Sequence, residues 1–371
     1  MSKGKKFVTG CCIAIGIGVL LSGVGIAMDG RVTGINLGPG GIAVYTPSGT
    51  AQEEEIVYQT GEEKLTAFDS IRIEADYADI AIEPAEDYGI SYRIDSRYRL
   101  SYKITNGTLT IVQENKTKYS FFSFGYVMTD GTQKEELITV KVPKGSELSS
   151  VKIEEDYGDI MCSGFSAEKL EIDSDYGDIG LEEVTSAEKL EIDSDYGDVV
   201  LEDIAAGELS CIVDGGNLSA SRVTAETVTV ENDYGDIGLE EATAGEMSLT
   251  ADYGMISLKN VETEKLAFQN EYGDVEGENV RTVSLTGEMD SGDCDMKKLD
   301  VKNVKLDSDY GNVNLNLTGR LTSYHYNLQT DYGKIMLGNR ELKESYQTIE
   351  QDGDMLEIYC DSGDIELQGA E

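Results

Sequence analysis

Leu170-Glu-Ile-Asp-Ser-Asp-Tyr-Gly-Asp-Ile-Gly-Leu-Glu-Glu-Val184 returns almost unchanged as Leu190-Glu-Ile-Asp-Ser-Asp-Tyr-Gly-Asp-Val-Val-Leu-Glu-Asp-Ile204. Inside this unit the apolar period is two. Leu170, Ile172, Ser174 and Tyr176 fall on one face, and Glu171, Asp173 and Asp175 on the other, which is the alternation of a strand. After Gly177-Asp178 the phase shifts, so Ile179 and Leu181 become the inward pair. Val184 follows after another shift. A slip of phase at a glycine marks a corner or a bulge.

Working outward, Asp-Tyr-Gly-Asp or a near variant begins at Asp156, Asp175, Asp195, Asp214, Asp233, Asp252, Glu271, Asp290, Asp309, Asp331 and Asp361. The steps between them are 19, 20, 19, 19, 19, 19, 19, 19, 22 and 30 residues. Asp76-Tyr-Ala-Asp-Ile80 is an earlier, degenerate copy. A unit this short cannot bury its own apolar face, whereas stacked copies bury one another's. The expected fold class is therefore all-β: a single-chain β-solenoid of ~19-residue coils about 4.8 Å apart. No helical pattern is present to support a leucine-rich or other α/β repeat. A β-propeller would need about 40 residues per blade, and odd and even coils do not differ.

Composition narrows the function. The chain has 371 residues and a net charge of -41, from 71 Asp+Glu against 30 Lys+Arg. Such a surface repels phosphates and excludes nucleic acid as a partner, but it attracts cations. Disorder is the bland reading of this acidity; the strict apolar patterning argues against it.

The N-terminus carries Lys3, Lys5 and Lys6, then an apolar stretch from Phe7 to Met28. As a helix this stretch spans about 33 Å, enough to cross a bilayer. Basic residues before it and acidic ones after it place the C-terminal part outside the cell membrane, single-pass. A cleaved signal peptide ending near Gly25-Ile26-Ala27 is the rival reading, and Val8-Thr9-Gly10-Cys11 has a lipobox-like form without a preceding apolar core. The domain plan is then 1–28 as membrane anchor, 29–61 as a Gly-rich tether, 62–150 as an irregular β region capping the solenoid, and 151–371 as the repeat domain. Within the cap, Asn106-Gly107 signals a hairpin turn. Tyr119, Phe121, Phe122 and Phe124 form either a cover for the open end or an exposed contact patch.

Stacking turns equivalent side chains into rows. Cys162, Cys211 and Cys294 match inward slots in distant coils, beyond disulfide reach, and read as small buried hydrophobes. Tyr157, Tyr176, Tyr196, Tyr234, Tyr253, Tyr272, Tyr310 and Tyr332 form one row, interrupted at Gly215, Ser291 and Ser362. Parity with Leu170 and Ile172 favours an inward aromatic ladder; the other reading is a sugar- or polymer-binding strip. Beside it run acidic rows that include Asp156, Asp175, Asp195 and Asp233, and Asp159, Asp178, Asp198 and Asp236. Like charges about 5 Å apart repel by roughly 0.8 kcal/mol even in water. Either capping of backbone N–H groups at the corner or a calcium ladder on these eight aspartates would compensate.

Val142-Pro-Lys-Gly145, Leu148, Val151-Lys-Ile153 and Asp156-Tyr-Gly-Asp-Ile160 carry a likeness to a known group. With Asp76-Tyr-Ala-Asp-Ile80 and Asn106-Gly-Thr-Leu-Thr-Ile111, the chain from about Leu65 to Glu371 resembles the bacterial putative-adhesin family of β-strand-repeat proteins, a domain of unknown function. The resemblance implies a membrane-tethered, surface-exposed β-solenoid linked to the cell envelope, and supplies no ligand and no catalytic residues. The residues themselves offer no Ser/His/Asp set, Cys/His pair or phosphate loop, and the lone His325 reads as a loop residue. The expected function is a non-catalytic, membrane-anchored cell-surface protein, an adhesin or envelope-interaction module contacting cell-wall polymer, cations or an envelope protein. The alternatives are an envelope-stress regulator acting through membrane partners and, last, a polysaccharide-acting β-helix enzyme.

Overall fold

The computed structural model of the chain describes residues 57–115, 136–348 and 353–370, together with the backbone of three short strands elsewhere. Those strands form a unit of their own: Gly34–Gly38 pairs antiparallel with Gly41–Tyr45 and, on its other side, with Ser123–Phe124. A hairpin thus lies within the expected tether. The expected anchor, Phe7 to Met28, and the side chains of the aromatic stretch 118–125 lie outside the described residues. Among the described residues no helix is long and apolar enough to cross a membrane.

The second unit is a β-solenoid, as the repeat predicts. Each coil has three sides, because the in–out alternation breaks three times. In the coil around Tyr176, adjacent exposed pairs occur at Glu168–Lys169, Asp175–Tyr176 and Glu182–Glu183. The break at Glu183 needs left-handed backbone. Gly164, Glu183, Asp203, Arg222, Glu241, Asn260, Asn279 and Lys298 hold this place in successive coils with φ between 53° and 63°. The 20-residue step comes from one extra residue between Ser186 and Lys189, where the ladder shifts register.

Coils stack parallel and in register. Ile160, Ile179, Val199, Leu218, Ile237, Ile256, Val275, Cys294 and Val313 form one inward row. Leu170, Leu190, Leu209, Val228, Met247, Leu266 and Leu285 form another. All are at most 2% exposed, so each coil seals its neighbour. Large and small residues interlock along a row: a Cβ on Gly287 would lie 2.3 Å from the ring of Phe268. Cys162, Cys211, Cys294 and Cys360 are buried free thiols, and burial pushes the Cys162 thiol up to about 12.

The glycine of each Tyr-Gly corner is fixed by contact between coils. A Cβ on Gly177 would lie 2.2 Å from the carbonyl oxygen of Gly158, and one on Gly235 2.0 Å from that of Gly216. Both glycines also have positive φ, 143° and 151°. No side chain fits between corners at this spacing.

Both ends depart from simple repetition. At the N-terminal end Ser70–Ala75 and Asp79–Ala85 form a true first coil, with Ile73 opposite Ile153 and Ile80 opposite Ile160. Thr108–Asn115 and Leu137–Pro143 add one parallel layer, and then Gly89–Asp95 and Tyr58–Lys64 close the end antiparallel. At the other end the coils are out of sequence. Asp354–Ser362 and Ile365–Ala370 insert between the coil of Tyr310 and that of Tyr332, pairing parallel with both. Arg340–Leu342 and Ser345–Gln347 then cover the last coil antiparallel. The steps of 22 and 30 residues belong to this interleaved closure.

Two outcomes test this architecture. Gly235→Ala should destabilise by at least the about 1–3 kcal/mol of an overpacked core site, read from urea melts; wild-type stability would contradict the close corner contact. Removing residues 353–371 should strip hydrogen-exchange protection from Tyr324–Thr330 while the coil of Ile172 keeps its own. Equal loss in both would contradict the local closure.

Candidate functional site

The surface that sets this chain apart is the stripe along the Tyr-Gly-Asp corner. Sequence parity placed its tyrosines inward, and the structure turns them outward. Ser174 pairs with Ser194 and Tyr176 with Tyr196, but the ladder skips Asp175 between them. The pairing is interrupted there with its register kept, and this bend makes Asp175 and Tyr176 consecutive outward residues. Tyr157, Tyr176, Tyr196, Tyr234, Tyr253 and Tyr272 are 46–64% exposed.

The rings stack on one another. Tyr98, Tyr77, Tyr157, Tyr176 and Tyr196 form a run with centroids 4.9, 5.0, 5.2 and 5.1 Å apart. The last three pairs are within 9° of parallel. Tyr234, Tyr253 and Tyr272 form a second run at 5.2 and 5.1 Å, within 7° of parallel. Offset stacking of this kind favours aromatic pairs beyond simple burial. The stripe therefore presents ring edges and hydroxyls to solvent.

One acidic row is tied to the backbone. The N–H of Asp159 donates to Asp79 Oδ1, that of Asp178 to Asp159 Oδ1, and that of Asp198 to Asp178 Oδ1, at 3.0, 2.9 and 2.9 Å. Further along, the N–H of Met255 donates to Asp236 Oδ1 at 2.8 Å. On either side, the N–H of Gly177 reaches the carbonyl of Tyr196 and that of Ile179 the carbonyl of Asp198. The corner's remaining N–H is met by the carboxylate of the preceding coil. Asn217 and Asn312 enter the same row and serve the same acceptor role through Oδ1, so a neutral amide suffices.

The other row, Asp156, Asp175, Asp195 and Asp233, is exposed on the far side of the tyrosines. Partial burial, then the charges of Asp76, Asp175 and Asp173, push the Asp156 carboxyl up. Asp193 is raised first by burial and then by Asp173, Asp195 and Asp214. The eight predicted aspartates thus fall in two rows flanking one aromatic stripe. Among the described residues no group of three or more His, Cys, Asp or Glu is placed to hold a metal ion.

Behind the stripe lies a residue that sequence reading passed over. Glu155 is 2% exposed, in the slot that holds Ser174 in the next coil. Burial pushes its carboxyl up to about 8, only partly offset by the N–H groups of Gly158 and Tyr157. No local signal marks it, because its neighbour Glu154 is an ordinary outward acid. A second missed feature is a hollow on the outer face of Ile179–Glu182, where Gly180 lies between the exposed Met161 and Val200. His325 lies in the strand Tyr324–Thr330 rather than in a loop.

Two predictions follow from this geometry. Asp178→Asn keeps the Oδ1 acceptor and should leave the melting midpoint unchanged, whereas Asp178→Ala should cost about 1 kcal/mol; equal losses would show that charge, not acceptance, is the role. Glu155 holds its proton in the folded chain up to about pH 8 against an ordinary value of 4.5. Its contribution to stability is complete below the ordinary value and is lost as pH rises through the folded one. Glu155→Gln should therefore flatten the decline in thermal midpoint between about pH 5 and pH 8; an unaltered decline would refute the assignment.

The described coils can be set beside known proteins. A putative adhesin from Parabacteroides distasonis ATCC 8503 is similar over 84% of this chain and 98% of its own, at 10% identity and a TM-score of 0.41. A putative lipid binding protein from the same organism is similar over 85% of this chain and 97% of its own, at 13% identity and a TM-score of 0.37. A putative adhesin from Bacteroides fragilis NCTC 9343 is similar over 85% and 97%, at 11% identity and a TM-score of 0.31. No curated protein matches the chain. The family model described as Toastrack DUF4097 matches twice, at residues 68–212 and 206–368. These matches contain the motifs at Val142–Gly145 and Asp156–Ile160 and bear out the resemblance drawn from them. The chain belongs to the Toastrack DUF4097 family.

Proposed function

We propose that this protein is a non-catalytic, membrane-anchored module of the cell surface, and that the tyrosine–aspartate stripe is its contact surface for a basic component of the envelope, a cell-wall polymer or a protein. One observation carries the reading: tyrosine rings stack in the open while acids run along both sides with no lysine or arginine in the motif of the uniform coils. Exposed apolar surface that a fold could have buried marks a contact site. Elsewhere the coils neutralise their acids across the stack. Lys152 pairs with Glu171, Lys169 with Glu188, Arg222 with Glu202 and Asp203, and Lys265 with Glu246. Around the corners of the uniform coils no lysine or arginine occurs within the motif.

Cation binding along the rows belongs to the same reading. The carboxyls of Asp156 and Asp193, raised partly by neighbouring charge, are what a bridging calcium ion would relieve. Millimolar calcium should then raise the melting midpoint above that in chelator; an unmoved midpoint removes calcium from the account.

The contact surface is tested with the full chain in detergent micelles. Isolated envelope should retain the wild-type protein and release a variant with Tyr157, Tyr176, Tyr253 and Tyr272 replaced by Ser. Equal retention would sink the stripe as the contact surface, and turnover of a glycan by the purified chain would sink the non-catalytic reading.

A further inference from the structure

The tyrosine ladder is not continuous, and its interruptions have a shape. Gly215 stands opposite Tyr196 on one side and Tyr234 on the other. Ser291 stands in the same way between Tyr272 and Tyr310. Each interruption removes one ring and leaves its neighbours in place. The gap is two ladder steps wide, about 10 Å between ring centres at the strand spacing. It is the space that one more tyrosine ring fills in every other coil.

The rings bordering the gaps have no stacked neighbour on the gap side: Tyr196 ends one run, and Tyr234 and Tyr272 are the two ends of the other. Tyr196 and Tyr234 thus each turn a free face toward the other across the glycine. The flanks are acidic. Asp195, Asp214 and Asp233 line the first gap, and Glu271, Asp290 and Asp309 the second, all exposed. None of the six is in an ion pair among the described residues. A flat group entering either gap meets two aromatic faces and a wall of carboxylates.

Resting on the contact-surface reading above, the geometry points to two sockets for arginine, at Gly215 and Ser291, which receive guanidinium groups of a basic protein partner. The guanidinium is planar, carries its charge permanently, stacks on aromatic faces and pairs bidentately with carboxylates. The compact ammonium of lysine satisfies the acids but does not fill a one-ring slot. A neutral sugar ring fills the slot and leaves the acids unused. The remaining interruption, at Ser362, also has acids on one flank, Asp309, Asp331 and Asp361, but Lys334 stands in the opposite row where the sockets have none, so its net negative charge is lower.

The sockets are four coils apart, about 19 Å along the stack. An extended chain advances about 3.3 Å per residue, so six residues cover about 20 Å. Six is even, so both side chains leave the same face of a strand. The partner segment is therefore an extended run with arginines six positions apart, lying along the stripe.

The probe is a synthetic Ser/Thr peptide with two arginines six positions apart, titrated by fluorescence anisotropy into the full chain in detergent micelles. It should bind at low salt, and weaken by about tenfold when both arginines become lysine. Filling the sockets in Gly215→Tyr with Ser291→Tyr should cause a similar loss. A Cβ on Gly215 would lie 3.1 Å from Tyr196 Cδ1, so a small ring shift is needed. Tyr234→Leu, which removes a socket wall at an exposed site, is the independent variant and should also weaken binding.

Equal binding of the lysine peptide, or of the filled variant, would overturn the sockets. Envelope retention that still depends on the stripe would then leave the contact surface standing. A wild-type dimer that dissociates on filling the gaps would overturn the proposal in favour of a second copy as occupant. Failure of any arginine peptide to bind overturns it outright.

Discussion

Successive glycine corners lie so close that their backbones touch, and this contact sets the terms for everything around it. The N–H of each corner glycine bonds the carbonyl at the tyrosine place of the following coil, and the space a side chain would need is taken by the preceding glycine's carbonyl oxygen. At the pinned corner the strand leading in breaks its in–out alternation, and that break turns Tyr176 and its equivalents outward. The strand leaving it has one N–H that no backbone oxygen meets, and the carboxylate of Asp159 or Asp178 accepts it. The exposed aromatic stripe and the acidic row beside it are thus consequences of one backbone packing problem solved the same way in coil after coil.

The repeat made the solenoid legible, since the spacing of Asp-Tyr-Gly-Asp and the alternation of Leu170, Ile172, Ile179 and Leu181 leave few other ways to bury apolar surface. Inward slots for Cys162, Cys211 and Cys294 followed from the same alignment. The direction of the tyrosines did not, because parity counting assumes an unbroken period of two between Ile172 and Tyr176. The left-handed corner was also hidden: Glu183, Asp203, Arg222 and Lys298 share a conformation without sharing a chemistry. Nor could sequence reveal that the coil of Ser362 lies between those of Tyr310 and Tyr332, since a parallel ladder accepts any coil of matching pattern.

The aspartate rows show how a structural duty and a surface property can coincide. Capping the corner needs an oxygen acceptor, and Asn217 and Asn312 supply it without charge. Aspartate at most other positions therefore adds something the fold does not require. The added charge is concentrated where no lysine or arginine occurs within the motif of the uniform coils. A rigid lattice that repeats a ring and a carboxylate at every step acts as a ruler, so any ligand it selects is selected by spacing as well as by charge.

The placement of Asp354–Ala370 bears on how the chain comes to its final form. A segment that comes later in sequence is laid between two that come earlier. Until it arrives, the coil of Tyr310 and the segment 324–347 each lack the layer they pair with. Simple addition of one coil onto the previous one does not give this order, which needs 354–370 between two earlier pieces. A chain that lacks Asp354–Ala370 therefore keeps one open strand edge, and the arrival of that segment closes it.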